Sequence, residues 1–298
     1  MPRVLCVGIA TQDQLFRLEA MPTRPEKYRA SAVAITTGGT AANGAVALAR
    51  LGAETLLWGG LGDDPLGDAI LAGLAAEGID VAGVARHPGV ASPLSAILVD
   101  RRGERTVISY SDPFLPGPPE ALPDRLPAGT AAVLGDTRWQ AGSAHAFRLA
   151  RRASVPALLD ADRAPTTVPE VLGLATHVAF AMQGLRDLTG LDEPRAALAA
   201  LPPHGDTWFC VTNGPEGAFW REGGTVAHCP AFPVEAVDTL GAGDTFHGAL
   251  ALGLAERRPI AEAVRFASAA AAIKCTRFGG RDGAPSRAEV ERFLAERT

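Results

Sequence analysis

Six short runs of Val, Leu, Ile, Ala and aromatic residues punctuate the chain: "RVLCVGIA", "TLLWGG", "AAVLGD", "PALLDAD", "HVAFA" and "TWFCVTNG". Each is too short and too uniformly apolar for a half-exposed strand, and segments of helical spacing lie between them, at residues 40–51, 65–77 and 141–152. In the last of these Ala144, Phe147 and Ala150 share one face. Strand–helix alternation of this kind predicts an α/β fold with a mostly parallel sheet covered by helices on both faces. After Asp244 the pattern becomes helical. Phe246, Ala249, Leu250, Gly253 and Leu254 form one stripe, and Ile260, Ala263, Val264, Ala267 and Ala271 form another, with Pro259 at the break.

Two regions do not alternate. "LFRLEAMP" with "KYRASAVAITTG", and "SAILVD" with "ERTVISY", are extended runs separated by polar turns. They predict a small second sheet, from about 13–36 and 95–110, covering one end of the main body as a lid. The proline-rich residues 113–130 are expected to be a surface loop. A chain of 298 residues with 47% hydrophobic content can bury one large core, so a single domain over 1–298 is expected.

A formal charge of −5 without clustering offers no basic field for nucleic acid. No apolar run is long enough to span a bilayer, and the first residues lack a basic leader, so a cytoplasmic protein with no membrane partner is expected. Cys6, Cys210, Cys229 and Cys275 lie far apart without a CxxC pair, and are expected to be buried thiols.

The stretch "VDTLGAGDTFHGAL" crowds small residues at a helix entrance. Gly241 and Gly243 allow a sharp turn in which amides, including that of Ala242, converge on one point. First-turn N–H groups and the helix dipole would hold a phosphoryl group in transit there. Asp244 beside an anion site needs a task, and accepting the proton of an attacking alcohol is one. A helix cap on a tight turn is the alternative. A second glycine pair, Gly38 and Gly39, precedes a helix bearing Asn43, whose amide can donate to and accept from sugar hydroxyls. Asp13, just past the first strand, could accept from two more. "CVTNGPEGA" ends a strand with Thr212 and Gly214, as where a backbone approaches a ligand at the carboxyl edge of a parallel sheet. Neither GxxxxGK[ST] nor GxGxxG occurs.

Taken in order over nearly the whole chain, "GGTAANGAVALARLG", "GLGDDPLG", "VTNGPEGA", "DTLGAGDTFHGAL" and "AAIKCTRFGGRDGAP" resemble the ribokinase-type (PfkB) carbohydrate kinases. The resemblance implies a ribokinase-like three-layer α/β sandwich with a β-sheet lid, shared across a homodimer interface. It implies transfer of the ATP γ-phosphoryl group, with Mg2+, to a sugar hydroxyl. By it Asp244 is the base, Gly241, Ala242 and Gly243 form the anion hole, and Asp13, Gly38, Gly39 and Asn43 hold the sugar. Thr212, Gly214, Gly217, Lys274, Gly279 and Gly280 would line the ATP site. A monovalent cation, K+, would sit beside Asp238 and the 273–283 loop, although Leu240 stands where a polar ligand is frequent. The family's Asn-x-x-Glu element is absent, since Ala181 and Gly184 occupy its two positions.

Within the family, "RVLCVGI", "MPTRPEKY", "GDTRWQAG" and "VRFASAAAAIKCTRFGGR" are similar to the bacterial 6-deoxy-6-sulfofructose kinases. That similarity carries sulfonate reading onto Lys27, Ser109 and Arg138, with Ser109 replacing an asparagine, and phosphorylation onto the C1 hydroxyl. Other ribokinase-family sugar or nucleoside kinases, ADP-dependent sugar kinases and a noncatalytic sugar-binding regulator are the alternatives. A nucleoside kinase would need an apolar slot for a base, and a regulator has little use for Asp244 behind an anion hole.

Overall fold

The apolar runs form the strands of one large sheet. In the computed structural model, which describes residues 1–297, β1 (Arg3–Val7), β4 (Glu54–Gly62), β5 (Asp80–His87), β8 (Thr130–Asp136), β9 (Ala157–Ala161), β10 (His177–Ala181) and β11 (Trp208–Thr212) run parallel. The hairpin β12 (Ala218–Glu222) and β13 (Thr225–Cys229) adds two antiparallel strands at one edge, giving the order β13-β12-β11-β10-β9-β8-β1-β4-β5. The central strands are buried on both faces, which is why they lack polar alternation. The chain order reverses direction at β1, so a crevice opens at the carboxyl ends of β1 and β8, where α/β sheets bind ligands.

Helices cover both faces. On one, α1 (Thr40–Arg50), α2 (Pro65–Ala75), α7 (Ala242–Ala255), α8 (Ile260–Cys275) and α9 (Arg287–Ala295) enclose the larger core cluster. On the other, α3 (Gln140–Arg152), α4 (Val171–Leu174), α5 (Met182–Thr189) and α6 (Pro194–Ala200) enclose the second. The helices expected from 40, 65 and 141 start within one residue of those positions, and the two late stripes are α7 and α8. Small residues let α1 and α7 cross closely: a Cβ on Gly248 would lie 2.6 Å from the Gly44 carbonyl oxygen. That approach sets the site, since it brings the neighbouring side chains Asn43 and Asp244 together.

The lid is a four-stranded sheet of β2 (Thr11–Arg17), β3 (Ala32–Gly38), β6 (Leu94–Val99) and β7 (Arg105–Tyr110), in the order β3-β2-β6-β7. Its inner face buries Leu15, Ile97 and Val99 against Leu240 and Phe278 of the main body. The second lid run starts later than its sequence suggests, at Ala32, because Lys27–Arg29 precede the pairing of Ala32 with Arg17. Residues 113–130 are largely irregular with one short 3-10 turn at Pro119–Ala121. Among the described residues no helix is long and apolar enough to cross a membrane. All four cysteines are free; Cys6 and Cys210 are buried as expected, whereas Cys229 and Cys275, at element ends, are only partly covered.

Candidate active site

At the root of α7, Gly241 takes a left-handed conformation (φ 76°), which a side-chain-bearing residue adopts at a cost. The turn it makes leaves the amides of Gly243 and Asp244 ahead of the first intrahelical bond, that of Thr245 to the Gly241 carbonyl, whereas the Ala242 amide, expected in the anion hole, donates to the Thr239 carbonyl at 3.3 Å. Gly243 serves differently from the expectation: its φ is ordinary, and a Cβ there would meet nothing within 4 Å. Its small size keeps the mouth of the amide cluster open rather than making the turn.

Asp244 follows in the first turn, half-buried, and its Oδ2 accepts from Asn43 Nδ2 at 2.6 Å. Burial, then the charge of Asp160, push the Asp244 carboxyl up to about 7, against the pull of Asn43 and His247. Asn43 is itself buried, and its Oδ1 has no partner among the described residues, which leaves an acceptor for a hydroxyl.

Asp13 projects from β2, buried, with Thr11 Oγ1 donating to it at 3.3 Å. Burial raises its pKa while Ser95, Thr11 and Arg281 oppose the rise. Gly38 lies against it, since a Cβ there would stand 1.9 Å from Asp13 Oδ2. Gly39 caps α1, and its carbonyl accepts from the Asn43 amide at 2.8 Å. The lid register aligns Thr36, Asp13, Ser95 and Ser109 across four strands on one face. Ser109 thus shares the inner face with Asp13. Lys27 is exposed in the β2–β3 connection. Arg138, after β8, is exposed and ion-paired with Asp162, which Thr137 Oγ1 also holds at 2.8 Å. Asp162 is close enough to add to the upward push on Asp244.

Thr212 closes β11 with its hydroxyl on the Phe180 carbonyl at 3.3 Å, and Gly214 opens a short turn beyond it. Gly217 packs against the hairpin instead of facing outward, its missing Cβ making room for the Cys229 carbonyl. Gly279 and Gly280 donate their amides to Asp238 Oδ2 at 3.1 and 2.9 Å. Asp238 is buried beneath the anion hole, and Lys274, fully buried, directs its ammonium to Asp238 rather than to the rim where a nucleotide would lie. The place expected for a monovalent metal ion beside Asp238 is therefore taken by a side chain, and these residues do not fit such an ion. No group of three or more His, Cys, Asp or Glu is arranged to hold a metal among the described residues.

Three further features escape motif reading. Asp160, ending β9, pairs with His247 Nδ1 at 2.9 Å, while His247 Nε2 lies 3.0 Å from the Ala179 carbonyl oxygen. Both are buried, and His247 lies one helical turn along α7 from Asp244. The spacing of Asp244 and His247, three residues apart in an apolar helix, was the available signal. Asp136, ending β8, accepts from the amides of Ile9, Arg138 and Trp139 at 2.9–3.0 Å and ties the ends of β1 and β8 together. Burial pushes its pKa up to about 7. Buried Arg281 links the 279–283 loop to the lid through Thr36 Oγ1 at 3.0 Å.

A half-buried carboxylate with a raised pKa, open amides at a helix N-terminus and buried Asp and Asn side chains in one crevice are the groups a phosphotransferase acting on an alcohol needs. Residues 1–287 match the pfkB family carbohydrate kinases, and the chain belongs to that family. It is 28% identical over 300 residues to a ribokinase of Bacillus subtilis, covering 99% of this chain and 100% of the relative. A crystal structure of a candidate ribokinase from Agrobacterium tumefaciens superposes with a TM-score of 0.93 at 40% identity, covering 99% and 98% of the two chains. Arabidopsis thaliana ribokinase in complex with ribose and ATP superposes with a TM-score of 0.81 at 25% identity, covering 98% of each.

Proposed function

We propose that this carbohydrate kinase transfers the γ-phosphoryl group of ATP to the C1 hydroxyl of a ketohexose carrying an anion at C6, with 6-deoxy-6-sulfofructose as the acceptor. What carries the reading of the reaction is the 2.6 Å contact between Asn43 and Asp244. It joins a sugar-facing amide to a half-buried carboxylate at the mouth of the anion hole. Asp13 and the free Oδ1 of Asn43 orient the acceptor, Asp244 takes the proton as the oxygen attacks, and the first-turn amides of α7 stabilise the charge on the moving phosphoryl group. Thr212 and Gly214, at the carboxyl end of β11, suit the nucleotide end of the crevice. Mg2+ brought in with ATP would supply neutralisation of the phosphate charge, and no cluster of His, Cys, Asp or Glu among the described residues is arranged to hold it.

The acceptor rests on Arg138, Ser109 and Lys27. Arg138 stands half-exposed, and among the described residues its one ion pair is with Asp162, so an incoming sulfonate can share the guanidinium. Ser109 shares the lid face with Asp13. Ribose is the second reading, favoured by the ribokinase similarity and by the ribose held in the Arabidopsis relative. An ADP-release assay over sulfofructose, fructose 6-phosphate, fructose and ribose separates them. Sulfofructose is expected to give the highest kcat/KM, and Arg138→Ala to lower it roughly 10-fold more than it lowers turnover of fructose. A preference for ribose, or equal losses on both hexoses, overturns the anionic acceptor and leaves the kinase.

The same proposal includes a homodimer through the lid. The lid's outer face carries Val33, Ile35, Ile108 and Tyr110, each 55–64% exposed, and apolar sheet faces of this kind are stable when a second copy covers them. Light scattering should give twice the chain mass, and Ile108→Lys should shift it to one. A wild-type monomer at micromolar concentration rejects the dimer.

A further inference from the structure

The segment leading into the anion hole is held from below by one side chain. The amides of Val237 and Asp238 donate to the Cys275 carbonyl at 2.8 and 3.1 Å. The Asp238 carboxylate accepts from Leu240 N at 2.8 Å through Oδ1, and from Gly279 N and Gly280 N through Oδ2. At the end of α8, Lys274 Nζ donates to the Asp238 carbonyl at 2.7 Å, lies 3.3 Å from Asp238 Oδ2, and reaches the Arg277 carbonyl at 3.5 Å. Its side chain is wholly buried. An ammonium has three donors and no acceptor, and here three oxygens face it.

We infer that the Lys274 ammonium is the resident cation of this site, supplied by the chain itself, and that it replaces a bound monovalent metal ion in holding Asp238–Gly241 in the shape of the anion hole. The oxygens that face it, two backbone carbonyls and a carboxylate, are those a monovalent metal ion would also seek. A second cation a few ångströms away would meet like-charge repulsion with little water to screen it. Arg105, bonded to Thr239 Oγ1 at 2.6 Å, adds a further positive charge on the lid side. The helix C-terminus supports the ammonium, since the last turn of α8 presents its carbonyl end. Asp238 carries the effect upward: with its carbonyl and carboxylate fixed, Leu240 N is fixed, and Gly241 follows in its left-handed turn. Lys274 is thus a positioning residue for the phosphoryl site, one layer below it. The inference goes beyond the acceptor assignment and holds whichever sugar is the substrate.

The experiment compares the wild-type protein with Lys274→Met in chloride salts of potassium, sodium, ammonium and tetramethylammonium at constant ionic strength. It reads thermal midpoint without substrates, and turnover with the best sugar. Wild type should show the same midpoint in all four salts and turnover constant within about twofold, because no cation binds the folded state selectively. Lys274→Met should lose about 10²-fold in tetramethylammonium, as expected when phosphoryl-binding groups are misplaced. Potassium or ammonium should restore turnover at least tenfold and raise the variant's midpoint, by filling the vacated oxygens. A wild-type midpoint or rate that rises severalfold or by several degrees with potassium overturns the inference. So does a folded Lys274→Met that no cation rescues. If the variant does not fold, the wild-type salt series decides alone. The midpoints keep this result separate from the kinase reading, since they require no activity.

Discussion

Asp244→Asn should lower kcat by about 10²–10⁴-fold with the best sugar, the usual range for losing a general base, while ATP affinity changes little. The amide keeps the shape and can still meet Asn43, but it cannot take the proton of the attacking hydroxyl. The pH dependence follows from the same surroundings. Burial and the Asp160 charge raise the Asp244 carboxyl to about 7, and only the ionised form is a base. Wild-type kcat/KM should therefore climb with pH through about 7 and level off above it, whereas an unperturbed carboxylate would give a flat profile from pH 5 upward. Residual turnover of Asp244→Asn should lose that limb. A variant within threefold of wild type, or one that keeps the limb, would assign the base elsewhere.

The parallel sheet was legible because its strands are buried on both faces, which writes uninterrupted apolar runs such as Cys6–Val7 and Leu158–Leu159 into the chain. The lid was legible from extended runs separated by polar turns, and in β6 the burial alternates, with Ser95, Ile97 and Val99 buried between the partly exposed Leu94, Ala96 and Leu98. Edge elements were not. In β5, Asp80–His87, only Val84 is buried, and the β12–β13 hairpin pairs a buried strand with an edge strand of mixed polarity, so neither carries a clean period. Short helices such as Val171–Leu174 lack the two turns that a helical period needs.

The site divides in the same way. Backbone demands leave local marks, and Gly241 with Asp244 could be read from seven adjacent residues. Contacts between distant segments leave none. Asn43 reaches Asp244 because Gly44 and Gly248 let two helices touch, and no local pattern in either helix reports that crossing. The family resemblance puts Lys274 at the nucleotide. Its four-carbon stem instead runs inward from the last turn of α8, where Asp238 and two carbonyls satisfy a charge that could not otherwise be buried.

His247→Leu should destabilise the fold by about 3–5 kcal/mol, the cost of stranding one member of a buried ion pair. Burial pulls the imidazole down, but Asp160 at 2.9 Å, the Asp244 charge and the Ala179 carbonyl together carry it above its ordinary value. A folded His with a raised pKa holds its proton where the unfolded His, near 6.5, has released it. Its contribution is full below about 6.5 and is lost as pH rises through the folded value. The wild-type thermal midpoint should accordingly fall between about pH 6.5 and the folded value, and His247→Leu should lack that part of the slope. Adding Asp160→Asn to His247→Leu removes the stranded carboxylate and should recover part of the lost stability. Melting curves on the three proteins from pH 5 to 9 read all of this. Equal slopes in wild type and His247→Leu, or no recovery in the double variant, would mean that Asp160 is already protonated in the native protein. Asp244 would then owe its raised pKa to burial and the charge of Asp162, and its activity limb should stay where it is when Asp160 is replaced. A downward shift of that limb in Asp160→Asn is the result expected if the carboxylate beneath the base carries its charge.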